Sequence, residues 1–245
     1  MTEPIIELQN VSFSAQNLQI VQNISHKFEE GKTTALVGPS GGGKSTVLKL
    51  AAGLLLPTEG AVTFRGKDVS VMSRAQNLAF RKASAVVFQD SALWANQSLR
   101  QILELPLKIH FPHMTYEART ARITQVLSET GYKKELDIRP SQLSMGEQKL
   151  IAFARAMLCD PSLIFLDEWT ESLDESAGNR LVKIIKQKKK EEKTIIFVSH
   201  DFRVIEDLAD YICMIIDGRL SLVITGEQIA KDDSLALIIE KGIAL

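Results

Sequence analysis

Hydrophobic positions in the first ninety residues follow strand-like patterns. Apolar or alternating runs predict β-strands at residues 5–13, 18–28, 35–37, 62–64 and 85–88. From residue 90 the pattern changes, and apolar residues recur at helical spacing over residues 99–105, 115–130 and 145–158. We therefore expect a β-rich part followed by a helical part.

Strand patterns return after residue 160. Residues 163–166 and 194–198 are uninterrupted apolar runs, typical of parallel strands buried on both faces. Residues 211–216 and 220–224 predict two further strands, and residues 234–241 predict a final helix. Together these patterns predict an α/β fold whose mixed, mainly parallel sheet has helices on both faces and antiparallel strands at the N-terminus. We expect one domain over residues 1–245, with a core at 1–89 and 161–225, a helical subdomain at 90–160 and a short C-terminal helix at 226–245.

Composition limits the possible partners. The 245 residues are 45% hydrophobic and 24% charged with a net charge of −1, so we expect no nucleic-acid partner. The two cysteines suggest neither a disulfide framework nor a metal site. No signal-peptide pattern or membrane-length apolar stretch is visible, so we expect a cytoplasmic protein whose membrane role would need another chain. The charge run at residues 186–193 predicts the solvated end of a helix.

A phosphate-binding motif lies between the strand at 35–37 and a predicted helix. Its residues fit the pattern G-x-x-x-x-G-K-[ST] and are Gly38, Pro39, Ser40, Gly41, Gly42, Gly43, Lys44, Ser45 and Thr46. Glycines allow the backbone N–H groups to surround phosphate oxygens, Lys44 would reach the β- and γ-phosphates, and the Ser45 hydroxyl would bind Mg²⁺. A glycine-rich turn before a helix is the simpler alternative. The strand–loop–helix context favours a nucleoside triphosphate site.

Polar residues follow three other predicted strands. Asp167 is placed to hold Mg²⁺ through water, and Glu168 to polarise the attacking water. His200 would reach the γ-phosphate, and Gln89 would contact Mg²⁺ or the water. Each has a simpler explanation, such as an acidic turn or a helix-start histidine. All four at strand ends around one phosphate loop favour a catalytic site.

Residues 143–148, Leu-Ser-Met-Gly-Glu-Gln, resemble the LSGGQ signature of ATP-binding cassette (ABC) ATPases. The resemblance extends from residue 11 to residue 219. It implies an ABC ATPase fold with a P-loop NTPase core, ATP and Mg²⁺ as cofactors, and a head-to-tail dimer in which a second copy completes each ATP site. By order and spacing it implies a Walker A loop at 38–46, a Q-loop at Gln89, Walker B at 163–167, the base at Glu168 and the switch histidine at His200.

The same resemblance assigns roles at the dimer interface. It implies that Ser144, Gly146 and Glu147 bind the nucleotide held by the opposite copy, and that Asp174 contacts the partner across the dimer. Ser144 with Glu147 three residues later also fits a capping box, and both interpretations can hold together.

Three residues depart from the family pattern. Ala15 stands where the family usually has an aromatic ring against adenine, so base selectivity is expected to be reduced; Phe13, the nearest aromatic, fits a core strand position. Met145 replaces the first signature glycine, and we expect phosphate contact through Gly146 to survive. Trp169 replaces the usual proline after the base, where it would pack or restrict the loop to Asp174.

The type of ABC ATPase is narrowed by length. Lys44 and Ser144 lie 100 residues apart, which excludes the long coiled-coil insertions of DNA-repair relatives. Residues 88–99, 105–107 and 234–242 resemble the Mla/MCE-type lipid-trafficking ATPases. This implies a subunit on the cytoplasmic face of the inner or plasma membrane that drives a separate permease, with an MCE-domain lipid-binding protein as a candidate partner. Amino-acid, lipoprotein-release and cell-division transporters, and a soluble iron–sulphur scaffold ATPase, are the alternatives.

Leu93 and Trp94 would line a docking groove or lie in the core.

Overall fold

The computed structural model describes residues 4–229 and 231–244. Its strands are β1 (Pro4–Ala15), β2 (Leu18–Glu29), β3 (Thr33–Val37), β4 (Glu59–Phe64), β5 (Lys67–Asp68), β6 (Ser84–Val87), β7 (Leu163–Asp167), β8 (Thr194–Val198), β9 (Tyr211–Ile216) and β10 (Arg219–Thr225). Its α-helices are α1 (Lys44–Ala51), α2 (Arg74–Ala83), α3 (Leu99–His110), α4 (Tyr116–Thr130), α5 (Met145–Met157), α6 (Glu175–Lys190), α7 (Phe202–Leu208), α8 (Gly226–Ile229) and α9 (Asp233–Ala244).

A six-stranded sheet forms the centre of the fold, in the order β10-β9-β3-β8-β7-β6. All neighbouring pairs are parallel except β9 and β10, which are antiparallel. Every residue of β3, β7 and β8 is buried, which the uninterrupted apolar runs at residues 163–166 and 194–198 predict for β7 and β8. Because these strands run in one direction, the residues that follow them meet at one edge.

A second, antiparallel sheet has the order β2-β1-β4-β5. Helix α1 lies between the two sheets, since its Val47, Leu48 and Leu50 share one apolar cluster with β1, β2 and one face of the central sheet. Helices α3 to α7 cover the other face of that sheet. The predicted fold class, with helices on both faces and antiparallel N-terminal strands, is therefore confirmed.

Several element bounds differ from those predicted. Helix α2 was not predicted, although its start has a capping box in which Ser73 and Gln76 bond each other's backbone N–H groups. Helix α3 continues to His110 with Pro106 inside it, where the apolar pattern predicted an end at residue 105. Helices α3 to α5 share one apolar cluster with the sheet, so the division at residues 90 and 160 stays a prediction.

The lysine-rich run ends α6, as predicted, but its lysines are ion-paired as well as solvated. Lys188 contacts Asp160 at 2.8 Å, and Lys189 contacts Asp210 at 2.8 Å. Within residues 4–229 and 231–244, no helix has the length and apolar character needed to cross a bilayer.

Candidate active site

The phosphate loop joins β3 to α1 and is shaped by glycines at positive φ. Gly38 has φ +137°, and a Cβ there would lie 2.0 Å from the carbonyl oxygen of Ile215. Gly43 has φ +99°, and its Cβ would lie 2.9 Å from the oxygen of Ile20. Both contacts are with backbone, which cannot move aside, so only glycine fits this path.

The first turn of α1 faces out of this loop. Gly43 precedes Lys44 at the N-cap position, and among the described residues no side chain caps the helix. The N–H groups of the first turn are therefore available to an anion, and the helix dipole favours negative charge there. This arrangement suits a phosphate group.

Lys44 is buried over the same loop. Its ammonium donates hydrogen bonds to the carbonyl oxygens of Gly38 at 2.9 Å and Pro39 at 2.8 Å. Burial lowers the pKa of Lys44, while the carboxylates of Glu168 and Asp167 oppose that shift. A bound phosphate would offer this cation stronger, charged acceptors than the two carbonyls.

Ser45 and Asp167 meet across the loop. The Ser45 hydroxyl donates to Asp167 Oδ1 at 2.8 Å, and burial raises the pKa of Asp167 despite this bond and nearby lysines. Both offer oxygen ligands, and Mg²⁺ typically takes one or two carboxylates together with phosphates and water. The described part of the chain contains no group of three or more His, Cys, Asp or Glu side chains that could hold a metal ion. The oxygen ligands of Ser45 and Asp167 therefore fit a Mg²⁺ ion that is bound together with a nucleotide.

Glu168 and His200 form a pair at the ends of β7 and β8. Glu168 Oε1 lies 2.8 Å from His200 Nε2, and their side chains are 14% and 36% exposed. The Glu168 N–H donates to Val198 O at 3.1 Å, and Glu168 adopts φ +45°, a region that non-glycine residues rarely occupy. Adjacent parallel strands thus bring together two residues that the sequence analysis assigned separate roles.

Gln89 lies just beyond β6, and its partner was missed by the sequence analysis. Its amide donates to Glu171 Oε2 at 3.0 Å. Both residues line a cleft of about 660 Å³ together with Ser45, Asp167 and Met145. The acidic Glu171 follows Glu168 by three residues, but only folding shows that it meets Gln89.

The signature residues form the start of α5. Ser144 Oγ accepts the Glu147 N–H at 3.2 Å, and Glu147 accepts the Ser144 N–H at 3.0 Å, so the capping box is present. Met145 is 72% exposed. A Cβ on Gly146 would lie 3.2 Å from Ser172 O, in the loop that leads to α6. The roles of these residues toward a second copy stay predictions.

Asp174 and Trp169 have clear local roles. Asp174 caps α6 by accepting the Ala177 N–H at 2.9 Å. Trp169 is fully buried edge-on against Phe197, with ring centroids 5.4 Å apart, and its indole N–H has no partner among the described residues. Trp169 is therefore a packing residue beside Glu168 and does not project into the cleft.

Ala15 ends the hairpin strand β1 opposite Leu18, which is 69% exposed. Phe13 packs against the apolar cluster between the sheets, as its strand position predicts. The same hairpin brings Ile20 to the backbone of Gly43, so its tip lies beside the phosphate loop.

Known proteins are similar to this chain along most of its length. The model of the protein family called ABC transporter matches residues 21–171 of this chain. The intermembrane phospholipid transport system ATP-binding protein MlaF of Haemophilus influenzae is 31% identical over 239 residues, covering 97% of this chain and 90% of that protein. The nickel import ATP-binding protein NikE of Escherichia coli is 30% identical over 233 residues, covering 93% and 87%. A solved dimeric ATP-binding cassette in a post-hydrolysis state bound to ADP and Pi has a TM-score of 0.83 at 27% identity, covering 90% of this chain and 98% of that one.

Proposed function

This chain belongs to the ABC transporter family as one of its ATP-hydrolysing subunits, and we propose that it powers phospholipid trafficking through a separate membrane permease. The observation that supports the lipid assignment is the similarity to MlaF over 97% of the chain. NikE is almost as similar, so nickel import is the second candidate.

ATP would bind with its phosphates in the loop between β3 and α1. Lys44 would exchange its two carbonyl acceptors for phosphate oxygens, which are charged and therefore stronger acceptors. Ser45, Asp167 and Gln89 would hold Mg²⁺, which neutralises charge on the phosphates when bound. Gln89 donates to Glu171 through its amide nitrogen, which leaves its carbonyl oxygen as the ligand for Mg²⁺.

Glu168 would act as the general base for hydrolysis. A water oxygen attacks the γ-phosphorus, the bond from that phosphorus to the bridging oxygen breaks, and a water proton passes to the Glu168 carboxylate. The products are ADP and inorganic phosphate. His200, 2.8 Å from Glu168, would orient the carboxylate and steady the γ-phosphate.

A second copy would complete each site. Ser144, Gly146 and Glu147 of that copy would face the γ-phosphate from the opposite side, and Asp174 would contact the partner. The dimeric cassette bound to ADP and Pi supports this arrangement, since it matches 90% of this chain. ATP can close the dimer only by binding the closed form better than the open form.

A groove beside the Q-loop is the proposed docking site for the permease, on the cytoplasmic face of the membrane. It measures about 450 Å³ and is lined by Phe88, Trp94, Leu105, Pro106 and Ile109 among others. Trp94 is 45% exposed there, whereas Leu93 packs against the core. Of the two residues considered for docking, Trp94 lines this groove, whereas Leu93 is half-buried against the core and is not among its lining residues.

The test is purification of the tagged chain from detergent-solubilised membranes, with the co-purifying proteins identified. A permease together with an MCE-domain protein supports the lipid assignment. The complex should then move labelled phospholipid between vesicles with ATP, and the Glu168→Gln complex should not. A nickel-binding partner and nickel-stimulated ATP hydrolysis would favour the second candidate, and scaffold proteins without a permease would refute transport.

A further inference from the structure

Lys149 is a buried cation that no motif explains. It lies in α5 with 3% of its surface exposed, next to the apolar run Leu150, Ile151, Ala152 and Phe153. Burying an ammonium group is costly unless it is well paired, and an apolar residue would fill such a position without that cost. The charge at position 149 therefore calls for a role beyond packing.

The ammonium of Lys149 joins two loops of the site. It donates to the carbonyl oxygen of Gln89 at 2.6 Å and to that of Glu168 at 3.2 Å. Burial lowers the pKa of Lys149, and the carboxylates of Glu171 and Glu168 oppose this. One side chain of α5 thus ties the end of β6 to the residue that follows β7.

Glu168 is a residue whose backbone needs such support. Its φ of +45° is unfavourable for a side chain with a Cβ and persists only where neighbours hold it. Its N–H donates to Val198 O at 3.1 Å, and its C=O accepts from Lys149. The N–H and the C=O of Glu168 are therefore both held by hydrogen bonds. The backbone conformation that they fix directs the Glu168 carboxylate toward His200.

A second cation of α5 holds the loop that follows Gln89. Arg155 donates to Ala92 O at 2.7 Å and to Ser91 O at 3.3 Å, and its guanidinium lies 5.7 Å from the centre of the Trp94 ring. Ser91 and Ala92 also have positive φ, at +63° and +45°. Helix α5 thus holds two segments with unfavourable backbone conformations, at Glu168 and at Ser91 and Ala92. Its first turn carries the signature residues.

We propose that Lys149 is a positioning residue for ATP hydrolysis, which sets the main chain of Glu168 in register with the Q-loop and with α5. This role of Lys149 rests on the proposed function, in which Glu168 is the base. A shift of α5 or of the Q-loop would move the carbonyl contacts of Lys149 and with them the direction of the Glu168 carboxylate. Lys149 is buried, so its loss should slow the chemical step more than it weakens ATP binding.

The test compares Lys149→Met, which keeps the length of the side chain without its charge, with Lys149→Arg, which restores donors. The control is Lys183→Met, an exposed lysine of α6. Misplacing a catalytic group by about 1 Å can cost on the order of 10², so we expect Lys149→Met to lower kcat by about 10- to 100-fold. KM for ATP and Tm should stay close to wild type, Lys149→Arg should recover part of kcat, and Lys183→Met should match wild type.

A spectroscopic measurement makes the test independent of activity. Trp94→Phe leaves Trp169, next to Glu168, as the remaining tryptophan of the two in the chain. In that background Lys149→Met should change the Trp169 emission, and Lys183→Met should not. Unchanged emission, or a kcat within about twofold of wild type, overturns the proposal. A fall in Tm that Lys149→Arg shares would instead indicate packing and also overturns it. If wild type hydrolyses no ATP, the proposed function fails, while Trp169 emission still decides whether Lys149 sets the main chain at Glu168.

Discussion

Replacing Glu168 by glutamine tests the proposed base most directly. Glutamine has nearly the same shape, and its amide oxygen can still accept from His200 Nε2, which lies 2.8 Å from Glu168 Oε1. The substitution leaves the hydrogen bonds to Val198 and Lys149 in place, because they use the main-chain N–H and C=O of Glu168. The substitution therefore removes a charge and a proton acceptor while the geometry is retained.

The expected loss is that of a positioned general base. Turnover should fall by about 10²–10⁴, or roughly 3–5 kcal/mol in the activation barrier. ATP affinity should stay the same or increase, since one negative charge near the triphosphate site disappears. With hydrolysis blocked, ATP should hold two copies in a closed dimer.

Phosphate release at saturating Mg-ATP measures turnover, calorimetry measures affinity, and size-exclusion chromatography with ATP measures the dimer. Glu171→Gln is the matched control, because this carboxylate lies at the same edge and a glutamine can still accept from Gln89. We expect that variant to stay within about tenfold of wild type, a change of roughly 1.4 kcal/mol. Wild-type turnover in Glu168→Gln would refute the assignment, and a severe loss in Glu171→Gln alone would move the base to Glu171.

Three further outcomes are expected. Lys44→Ala should weaken ATP binding itself, because a charge-assisted phosphate contact is lost; unchanged affinity by calorimetry would contradict this. With alanine at position 15, ATP and GTP should bind within about tenfold of each other, and Ala15→Tyr should tighten ATP by up to roughly 1–3 kcal/mol. Strong ATP preference in wild type with no gain from tyrosine would show that another residue contacts the base. Trp169→Ala should lower the free energy of unfolding by about 3–5 kcal/mol, measured by urea titration followed by circular dichroism, and a loss under about 1 kcal/mol would contradict its packing role.

The fold class was predictable because its signals are local. Uninterrupted apolar runs mark β7 and β8, and the structure buries all residues of these strands. Helix α2 escaped prediction because its only large apolar residues are Leu78 and Phe80, and only Phe80 is buried. Its capping box at Ser73 was the available signal. The predicted end of α3 at residue 105 was wrong because it was taken from the apolar spacing alone, whereas α3 continues through Pro106 to His110.

By itself the sequence determined the phosphate loop and the order of the strand-end residues, because glycine spacing and apolar runs are properties of neighbouring residues. Tertiary structure alone decided which of these groups touch. Glu171 meets Gln89 across 82 residues of chain, and Lys149 reaches Gln89 across 60 and Glu168 across 19. Such contacts arise when α5 packs under the edge where β6 and β7 end, and no spacing along the chain records that packing.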